Sequence, residues 1–540
     1  MNRSMKKNNI KQVLSDAKLM LKYVWKGDKT LFIYKVVLII FTTVQTVIGS
    51  LFLKWIVDSL QTQTLNYSLF IIALIQFISF IVYTITTWFG RIIIPQSEYK
   101  LRNYLQNEFI KKAIKQDLEC YEDFKFYDNY TKAVRIADEK AIDFINIFAG
   151  ITQQIVTMLA LISVIISLDY ILLIFTVVII IISFFDNYKS NYLSHELYEA
   201  EQSINRRSEY VKRVSHHRQF AKEVRIFNLG SFLLKKLNDT FEEKFKLYKN
   251  YNDKYWKIKY VVSIINTILI TPLLLGYLVY QTSNSNITLG SFTVLFGICF
   301  SISSQFASIL TSISNLNFES KYYVSHLRGI LEYNPKIEND IIGKEEIQSI
   351  SSIEFKNVFF TYPKHQKQVL KNINFKIVKG EKLAIAGKNG VGKSTIIKLL
   401  LRLYDVSEGE IFINNKNIKE FNIESLRKCF SSTMQDFNIY AFTIVDNLTM
   451  GKEINNKLLY SALDFSNIKE RITSLENSTS SYISREFDEQ GVEFSGGELQ
   501  KLAIARSYYN KNSVFVLDEA NSALDPIAEY DLNIKLSSIL

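Results

Sequence analysis

The sequence contains long stretches without a single charged side chain, and these restrict the fold more than any other feature. Residues 260–318 carry no Asp, Glu, Lys or Arg, and the polar run 281–286 divides this stretch in two. Four more uncharged stretches precede it, at residues 36–53, 67–90, 144–168 and 170–185. About 20 apolar residues in helical conformation cross the core of a bilayer, where backbone polar groups need partners within their own segment. The sequence therefore predicts six transmembrane helices.

The positions of the basic residues predict which ends of these helices face the cytosol. The turns at residues 59–66, around Asp169 and at residues 281–286 hold no Lys or Arg, whereas residues 91–143 and 186–259 hold many. Lys and Arg are enriched in the cytosolic loops of membrane proteins. We therefore expect both long charged segments and both termini to be cytosolic.

The two charged cytosolic segments are too long to be simple turns. They alternate charged with apolar residues at helical spacing, which indicates that the transmembrane helices continue beyond the bilayer. Each segment would then form a long hairpin with a short connecting helix at its tip. We expect the tips at residues 120–130 and 220–230.

The composition of the sequence divides the chain into four parts. The predicted domains are a cytoplasmic arm with an amphipathic helix (1–29), the six-helix domain (30–320), a linker (321–350) and a soluble α/β domain (351–540). The net charge of +11 comes largely from Lys and Arg that flank the apolar stretches. It therefore indicates membrane topology and not nucleic-acid binding. Three widely separated cysteines support neither a disulfide framework nor a zinc site.

A glycine-rich loop lies within the soluble domain. Apolar residues 383–386 predict a strand that ends at this loop, and a helix is predicted to start at Lys393. Three glycines let the backbone turn tightly with its N–H groups facing inward: Gly387, Gly390 and Gly392. Lys393 supplies a charge for the outer phosphates, and Ser394 or Thr395 offers a hydroxyl to Mg²⁺. The loop therefore predicts a polyphosphate site.

Further side chains suited to nucleotide chemistry lie before and after this loop. Tyr362 offers an aromatic face to an adenine ring. The apolar strand predicted at residues 514–517 ends in Asp518, which is placed to hold Mg²⁺. Glu519 follows and is placed to polarise the attacking water as a general base. Ser495 and the two glycines after it open another predicted helix, whose start can face an anion.

Taken in chain order, these motifs resemble those of the ATP-binding cassette (ABC) superfamily, and specifically of an exporter half-transporter. The ordered set consists of Tyr362, the loop 387–394, Gln435 and the segments 495–497, 518–519 and 522–525. The resemblance covers nearly the whole chain. It implies an all-α membrane domain of six transmembrane helices followed by an α/β P-loop nucleotide-binding domain, with ATP and Mg²⁺ as cofactors.

The resemblance also implies roles for individual residues. Nucleotide contacts are implied for Tyr362, Gly387, Asn389, Gly390, Gly392, Lys393, Ser394, Thr395, Ser495, Gly496, Gly497 and Asp525. Ser394, Gln435 and Asp518 are implied to hold Mg²⁺, and Glu519 and Gln435 to act in catalysis. In this family, two cassettes enclose two ATP molecules, each between the phosphate loop of one and the signature of the other, which corresponds here to residues 494–498. Because this chain has one cassette, the resemblance implies a dimer; we expect a homodimer, and a heterodimer stays open.

Two segments resemble those of bacterial exporters of lanthipeptides and related modified peptides, residues 222–230 and 485–497. The resemblance implies a multi-pass protein of the bacterial cell membrane with a peptide substrate and biosynthetic enzymes as partners. Only about 35 residues precede the first apolar stretch. That leaves no room for an N-terminal peptidase, so we expect a separate leader protease. Lipid or drug export stays open as an alternative.

The sequence departs from the family pattern in two places. Phe494 and Glu498 stand where the family usually has leucine and glutamine. Family cassettes also carry a histidine on the strand after the catalytic glutamate, whereas the last histidine before Leu540 is His365. We therefore expect the cassette to be incomplete at its C-terminus and to hydrolyse little ATP. An inactive ATP-binding membrane protein is the second alternative.

Overall fold

The computed structural model describes residues 4–62, 67–123, 126, 129–130, 133–134, 140–341, 344–388, 390–510, 512–519 and 526–539. The chain divides into two compact units. The first, which we call the helical unit, comprises Met1–Ile110 and Asn129–Leu331. The second, which we call the α/β unit, comprises Lys111–Asp128 and Glu332–Leu540. The tip of the first cytosolic hairpin and residues 332–350 of the predicted linker therefore belong to the α/β unit.

Long helices dominate the first 331 residues. In chain order they are α1 (Ser4–Gly27), α2 (Lys29–Thr62), α3 (Tyr67–Ile114), α4 (Leu118–Glu122), α5 (Ala141–Leu168), α6 (Leu172–His216), α7 (Ala221–Ile226), α8 (Gly230–Ile264), α9 (Thr271–Ser283), α10 (Leu289–Glu319) and α11 (Ser325–Leu331). Two π-helical turns make α8–α9 and α10–α11 continuous, Ile265–Ile270 and Ser320–Val324.

Six helical stretches of the described residues are long and apolar enough to cross a membrane. They are Lys29–Thr62, Phe70–Ile114, Ala141–Leu168, Leu172–His216, Gly230–Ser283 and Leu289–Glu319. In the most apolar 18 residues of each stretch, at most 33% of the residues are buried. Most of these apolar side chains therefore lie on the surface, as a bilayer requires. The prediction of six transmembrane helices is confirmed.

The helices extend beyond the uncharged stretches, as the charge pattern predicts. Helix α3 continues past the first charged residues to Ile114, and α6 and α8 form the second hairpin. A short helix lies at each predicted tip, α4 in the first hairpin and α7 in the second.

The N-terminal helix packs within the helical unit. Met20 and Val24 of α1 belong to a core cluster with side chains of α3, α5 and α10. Asp16 is buried, forms an ion pair with Arg328 at 2.7 Å and accepts a hydrogen bond from the Ser320 hydroxyl. These contacts join α1 to the helical stretch that follows α10. The predicted linker therefore begins as helix.

The rest of the α/β unit alternates strands with shorter helices. Its strands are β1 (Ser352–Thr361), β2 (Gln368–Val378), β3 (Glu408–Ile413), β4 (Lys416–Asn417), β5 (Phe430–Thr433) and β6 (Val514–Leu517). Its helices, apart from α4, are α12 (Lys393–Leu400), α13 (Ile423–Lys428), α14 (Ile444–Thr449), α15 (Asn456–Phe465), α16 (Lys469–Thr473), α17 (Gly496–Tyr509) and α18 (Pro526–Ile539).

The described strands form two sheets. One is antiparallel in the order β2-β1-β3-β4, and the other pairs β5 with β6 in parallel. Alternate residues of β1 are buried, Ile353 and Phe355 among them, because successive strand side chains point to opposite faces. They belong to a core that also contains α12 and α13, while α14, α15 and α17 enclose a second apolar cluster.

The segment before the glycine-rich loop differs from the prediction. We expected a strand at residues 383–386, but residues 381–388 have no regular secondary structure, and Leu383 is 49% exposed. None of the described strands pairs with this segment. Without a neighbour to hydrogen-bond its backbone and cover its side chains, the apolar pattern alone does not produce a strand.

Candidate functional site

The glycine-rich loop has a backbone that requires glycine. Gly390 and Gly392 have φ values of 79° and 104°, in the left-handed region. A Cβ atom on Gly392 would lie 2.7 Å from Cδ2 of Leu370, a buried core side chain. The loop turns directly into α12 at Lys393. The structure therefore places a tight glycine turn against the start of a helix, as a phosphate cradle needs.

Three predicted side chains converge beside this loop. Lys393 Nζ donates a hydrogen bond of 2.8 Å to the carbonyl oxygen of Gly387 and lies 3.8 Å from Glu519 Oε1. The Gln435 amide donates to the other carboxylate oxygen of Glu519 at 2.6 Å. Glu519 itself has a left-handed φ of 49°. Residues more than 80 positions apart in the sequence thus meet at one point, and the Glu519 carboxylate is held between a cation and an amide donor.

Asp518 has the environment of a metal ligand. It is 4% exposed, and its Oδ2 atom has no hydrogen-bond partner among the described residues. A buried carboxylate oxygen without a donor is costly unless a cation reaches it. Within the described part of the chain, no cluster of three His, Cys, Asp or Glu side chains could hold a metal by itself. Mg²⁺ often takes only one or two protein ligands and completes its shell with phosphate and water.

Tyr362 lies next to the start of α12. Its hydroxyl is 3.0 Å from Oγ1 of Thr395, and its ring packs edge-on against Tyr404 at 5.4 Å between centroids. Lys398 Nζ lies 5.4 Å from the ring centroid. Thr395 is buried and shares this hydrogen bond, so Ser394 is the hydroxyl better suited to a metal ion.

The predicted signature lies at the start of α17. Ser495 and Glu498 form a capping box, in which each side chain bonds the other residue's backbone N–H. Burial alone would raise the pKa of Glu498, but its hydrogen bonds with Ser495 and its ion pair with Arg471 hold that pKa below the ordinary value. Ser495 and Gly496 are exposed, and Gly497 is half-buried. Glutamate at position 498 is therefore explained by the cap it forms.

Two predicted nucleotide contacts, Asn389 and Asp525, lie outside the described residues, as does the segment 522–525. Two features of the site were not predicted from the sequence. The capping box was visible as Ser495 followed by Glu498 three residues later. The contact of Lys398 Nζ with Glu122 Oε1, at 3.2 Å, joins residues 276 positions apart, and no local pattern could reveal it.

A family model described as ABC transporter matches residues 370–522, the part of the chain that holds this loop, Gln435, α17 and Glu519. The chain carries the ATPase domain of an ABC transporter. One such domain joined to six transmembrane helices is the architecture of a half-transporter. The chain is therefore a multi-pass membrane protein, and the predicted family and fold are confirmed.

The chain is similar to proteins whose names indicate different substrates. The chain is 28% identical over 94% of its length to the subtilin transport ATP-binding protein SpaT of Bacillus subtilis, and covers 83% of that protein. It is 32% identical over 52% of its length to an ATP-dependent lipid A-core flippase of Pasteurella multocida, of which it spans about half, 47%. A solved structure of a bacterial Atm1-family ABC exporter with ATP bound has the same fold, with a TM-score of 0.76 and 17% identity. The likeness covers 95% of this chain and 89% of that one.

Proposed function

We propose that two copies of this chain form an ATP-driven exporter of modified peptides, such as lanthipeptides, in a bacterial membrane. The observation that carries this proposal is the extent of the likeness to the subtilin transport protein. A match over 94% of the chain includes membrane-spanning residues, which any exported substrate must pass. The lipid A-core flippases match only about half of the chain. Their likeness makes lipid export the second candidate.

ATP and Mg²⁺ fit the site on the evidence of its glycine turn and the free oxygen of Asp518. Lys393 would exchange its contact with Glu519 for the outer phosphates. Ser394, Asp518 and Gln435 would hold the metal ion, which neutralises charge on the phosphates when bound. Glu519 would then orient the attacking water as general base. Tyr362 would stack on adenine.

A homodimer would complete two ATP sites. Ser495 and Gly496 are exposed at the start of a 14-residue helix, whose partial positive charge suits the γ-phosphate of ATP bound to a second copy.

The second hairpin also exposes apolar side chains in the cytosol, with Ile226 74% and Phe227 68% exposed at the end of α7. Exposed apolar side chains of this kind are suited to a partner surface. We assign them to the second copy's cassette, near its Gln435.

The proposed orientation places both termini in the cytosol, because Lys and Arg are concentrated in the two hairpins and absent from the three short turns.

Transport into inside-out membrane vesicles tests the function. Vesicles that contain the transporter should accumulate a fluorescent subtilin precursor peptide when ATP is added, and vesicles with Glu519→Gln should not. A fluorescent lipid A analogue offered to the same vesicles is the matched control for cargo. ATP-dependent movement of the lipid without the peptide would show that the peptide proposal is wrong.

A further inference from the structure

A buried carboxylate lies at the tip of the first hairpin. Asp117 immediately precedes α4, where an aspartate ordinarily caps the helix, yet its side chain makes no capping hydrogen bond. It is 2% exposed. Its oxygens accept four hydrogen bonds from a segment more than 200 residues away: the backbone N–H groups of Lys336, Ile337 and Glu338 at 2.7, 3.0 and 3.2 Å, and the Tyr333 hydroxyl at 3.0 Å.

The residues that donate these bonds to Asp117 belong to the segment that connects α11 to β1. We call residues 333–340 the junction segment, because they follow α11 and lead towards β1. The cassette holds the same segment through its carboxylates: Arg427 contacts Glu338 at 2.8 Å, and Arg402 contacts Asp340 at 2.6 Å. The junction segment is therefore bound by Asp117 through its N–H groups and by two cassette arginines through its side chains.

The chemistry makes Asp117 hard to replace. A carboxylate removed from water is stable when several donors surround it, and backbone N–H groups removed from water need an acceptor. Burial, together with the neighbouring Cys120 and Asp117, raises the pKa of Tyr333, so its hydroxyl stays protonated and donates. An asparagine at position 117 would keep the side-chain volume, but its NH₂ group would face N–H donors and could not accept their hydrogen bonds.

Other residues of the tip contact α12 and a lysine close to Tyr362. Leu118 packs against the core that contains α12, and Glu122 bonds Lys398 of that helix. Burial alone would lower the pKa of Lys398, but Tyr362 and Glu122 raise it above its ordinary value. Asp123 forms an ion pair with Lys364, two residues beyond Tyr362. The tip thus contacts the junction segment on one side and the nucleotide-facing helix on the other.

We propose that Asp117 is a positioning residue that fastens the first hairpin tip to the junction segment, so that the tip, the junction segment and the cassette move together when ATP binds. The effect on movement rests on the proposed export function, whereas the fastening does not. The hydrogen bonds described for Asp117 all go to the junction segment, and none reaches Glu519 or a described residue of the glycine-rich loop. Its loss should therefore uncouple the membrane helices from ATP binding without weakening that binding.

Amide hydrogen exchange of the full-length protein in lipid tests the fastening. In Asp117→Asn, the amides of residues 336–338 should exchange about tenfold faster or more, since each loses a charged acceptor. Glu119→Gln is the matched control, because it removes a charge from the same tip whose contact, Lys336 at 3.8 Å, is 80% exposed. Its exchange should stay within about twofold of the wild type. Tyr333→Phe removes one of the four bonds and should give a smaller increase, and it decides the test if Asp117→Asn does not fold.

Coupling is measured with a cysteine at Ser283, labelled from outside by an impermeant thiol reagent with and without a non-hydrolysable ATP analogue. The three natural cysteines are buried and give little background. The analogue should change the labelling rate in the wild type and in Glu119→Gln, and this change should be lost in Asp117→Asn while analogue binding is kept.

Unchanged amide exchange in Asp117→Asn would overturn the fastening. Faster exchange with an intact ATP-dependent change would overturn the positioning role. A wild type whose labelling ignores ATP would instead contradict the export proposal, and the exchange data would still judge the fastening.

Discussion

Replacing Gly392 with alanine tests whether the glycine turn has the shape described above. At φ of 104° an L-residue is strained, which costs about 1–2 kcal/mol. The new Cβ would also lie 2.7 Å from Leu370 Cδ2 and 3.1 Å from Val369 Cγ1. Leu370 is 3% exposed within the main core, so relieving the overlap means repacking, at about 1–3 kcal/mol. The two effects together predict a loss of roughly 2–5 kcal/mol in the stability of this core.

Gly380 provides a matched control for the backbone contribution. It also has a left-handed φ, 86°, but nothing lies within 4 Å of the position its Cβ would take. Gly380→Ala should therefore lose only the strain of about 1–2 kcal/mol. The difference between the two variants isolates the contact with Leu370.

The thiol of Cys429 reports the result. It is buried in the same core as Leu370, and burial raises its pKa, so it reacts only when the core opens. Peptide mass spectrometry separates its labelling from that of Cys120 and Cys299. The two variants differ by the repacking cost of about 1–3 kcal/mol. Since each 1.4 kcal/mol is tenfold in an equilibrium, Cys429 should react about fivefold to a hundredfold faster in Gly392→Ala than in Gly380→Ala. Equal rates in the two variants would refute the described packing of the loop against Leu370.

Three further predictions concern the ATP site, the signature and the topology. Lys393→Ala should weaken ATP-analogue binding by about tenfold or more, the loss of a charge-assisted contact, measured by photolabelling; unchanged labelling would mean that Lys393 does not face phosphate. Because the folded pKa of Glu498 is lowered, its cap should stabilise α17 fully above the ordinary carboxylate pKa of about 4.3 and be lost as pH falls through the lowered value. Urea unfolding against pH should show this loss in the wild type and a flatter profile in Glu498→Gln, and parallel profiles would contradict it. A cysteine at Ser283 should react with an impermeant thiol reagent from outside the cell, and one at Asp123 should not. The reverse pattern would contradict the proposed orientation of the helices.

The features that could be predicted from the sequence are those written in neighbouring residues. Uncharged stretches define the transmembrane helices, because a bilayer excludes charge wherever it occurs in the chain. The glycine-rich loop is equally local, since three glycines and Lys393 lie within seven residues. Asp518 and Glu519 could be predicted as site residues because they come directly after the apolar residues 514–517.

The features that could not be predicted depend on distant pairs. The role of Asp117 could not be predicted, because the groups that donate to its carboxylate lie some 220 positions away. The contact of Lys398 with Glu122 could not be predicted either, because the two residues lie 276 positions apart. The strand expected at residues 383–386 failed for the related reason that a strand is stabilised by its neighbours, and none of the described strands pairs with it.

The central claim, that two copies share two ATP sites, is tested most directly by trapping an ATP analogue in dimers purified through two different tags. One dimer combines a Lys393→Ala copy with a Ser495→Arg copy, and the other combines a wild-type copy with a copy that carries both substitutions. If each site joins the glycine loop of one copy to the signature of the other, the first dimer keeps one intact site and the second keeps none. The account therefore predicts trapped analogue in the first dimer only. Trapping in the second dimer and not in the first would show that each site is formed within a single chain and would contradict the account.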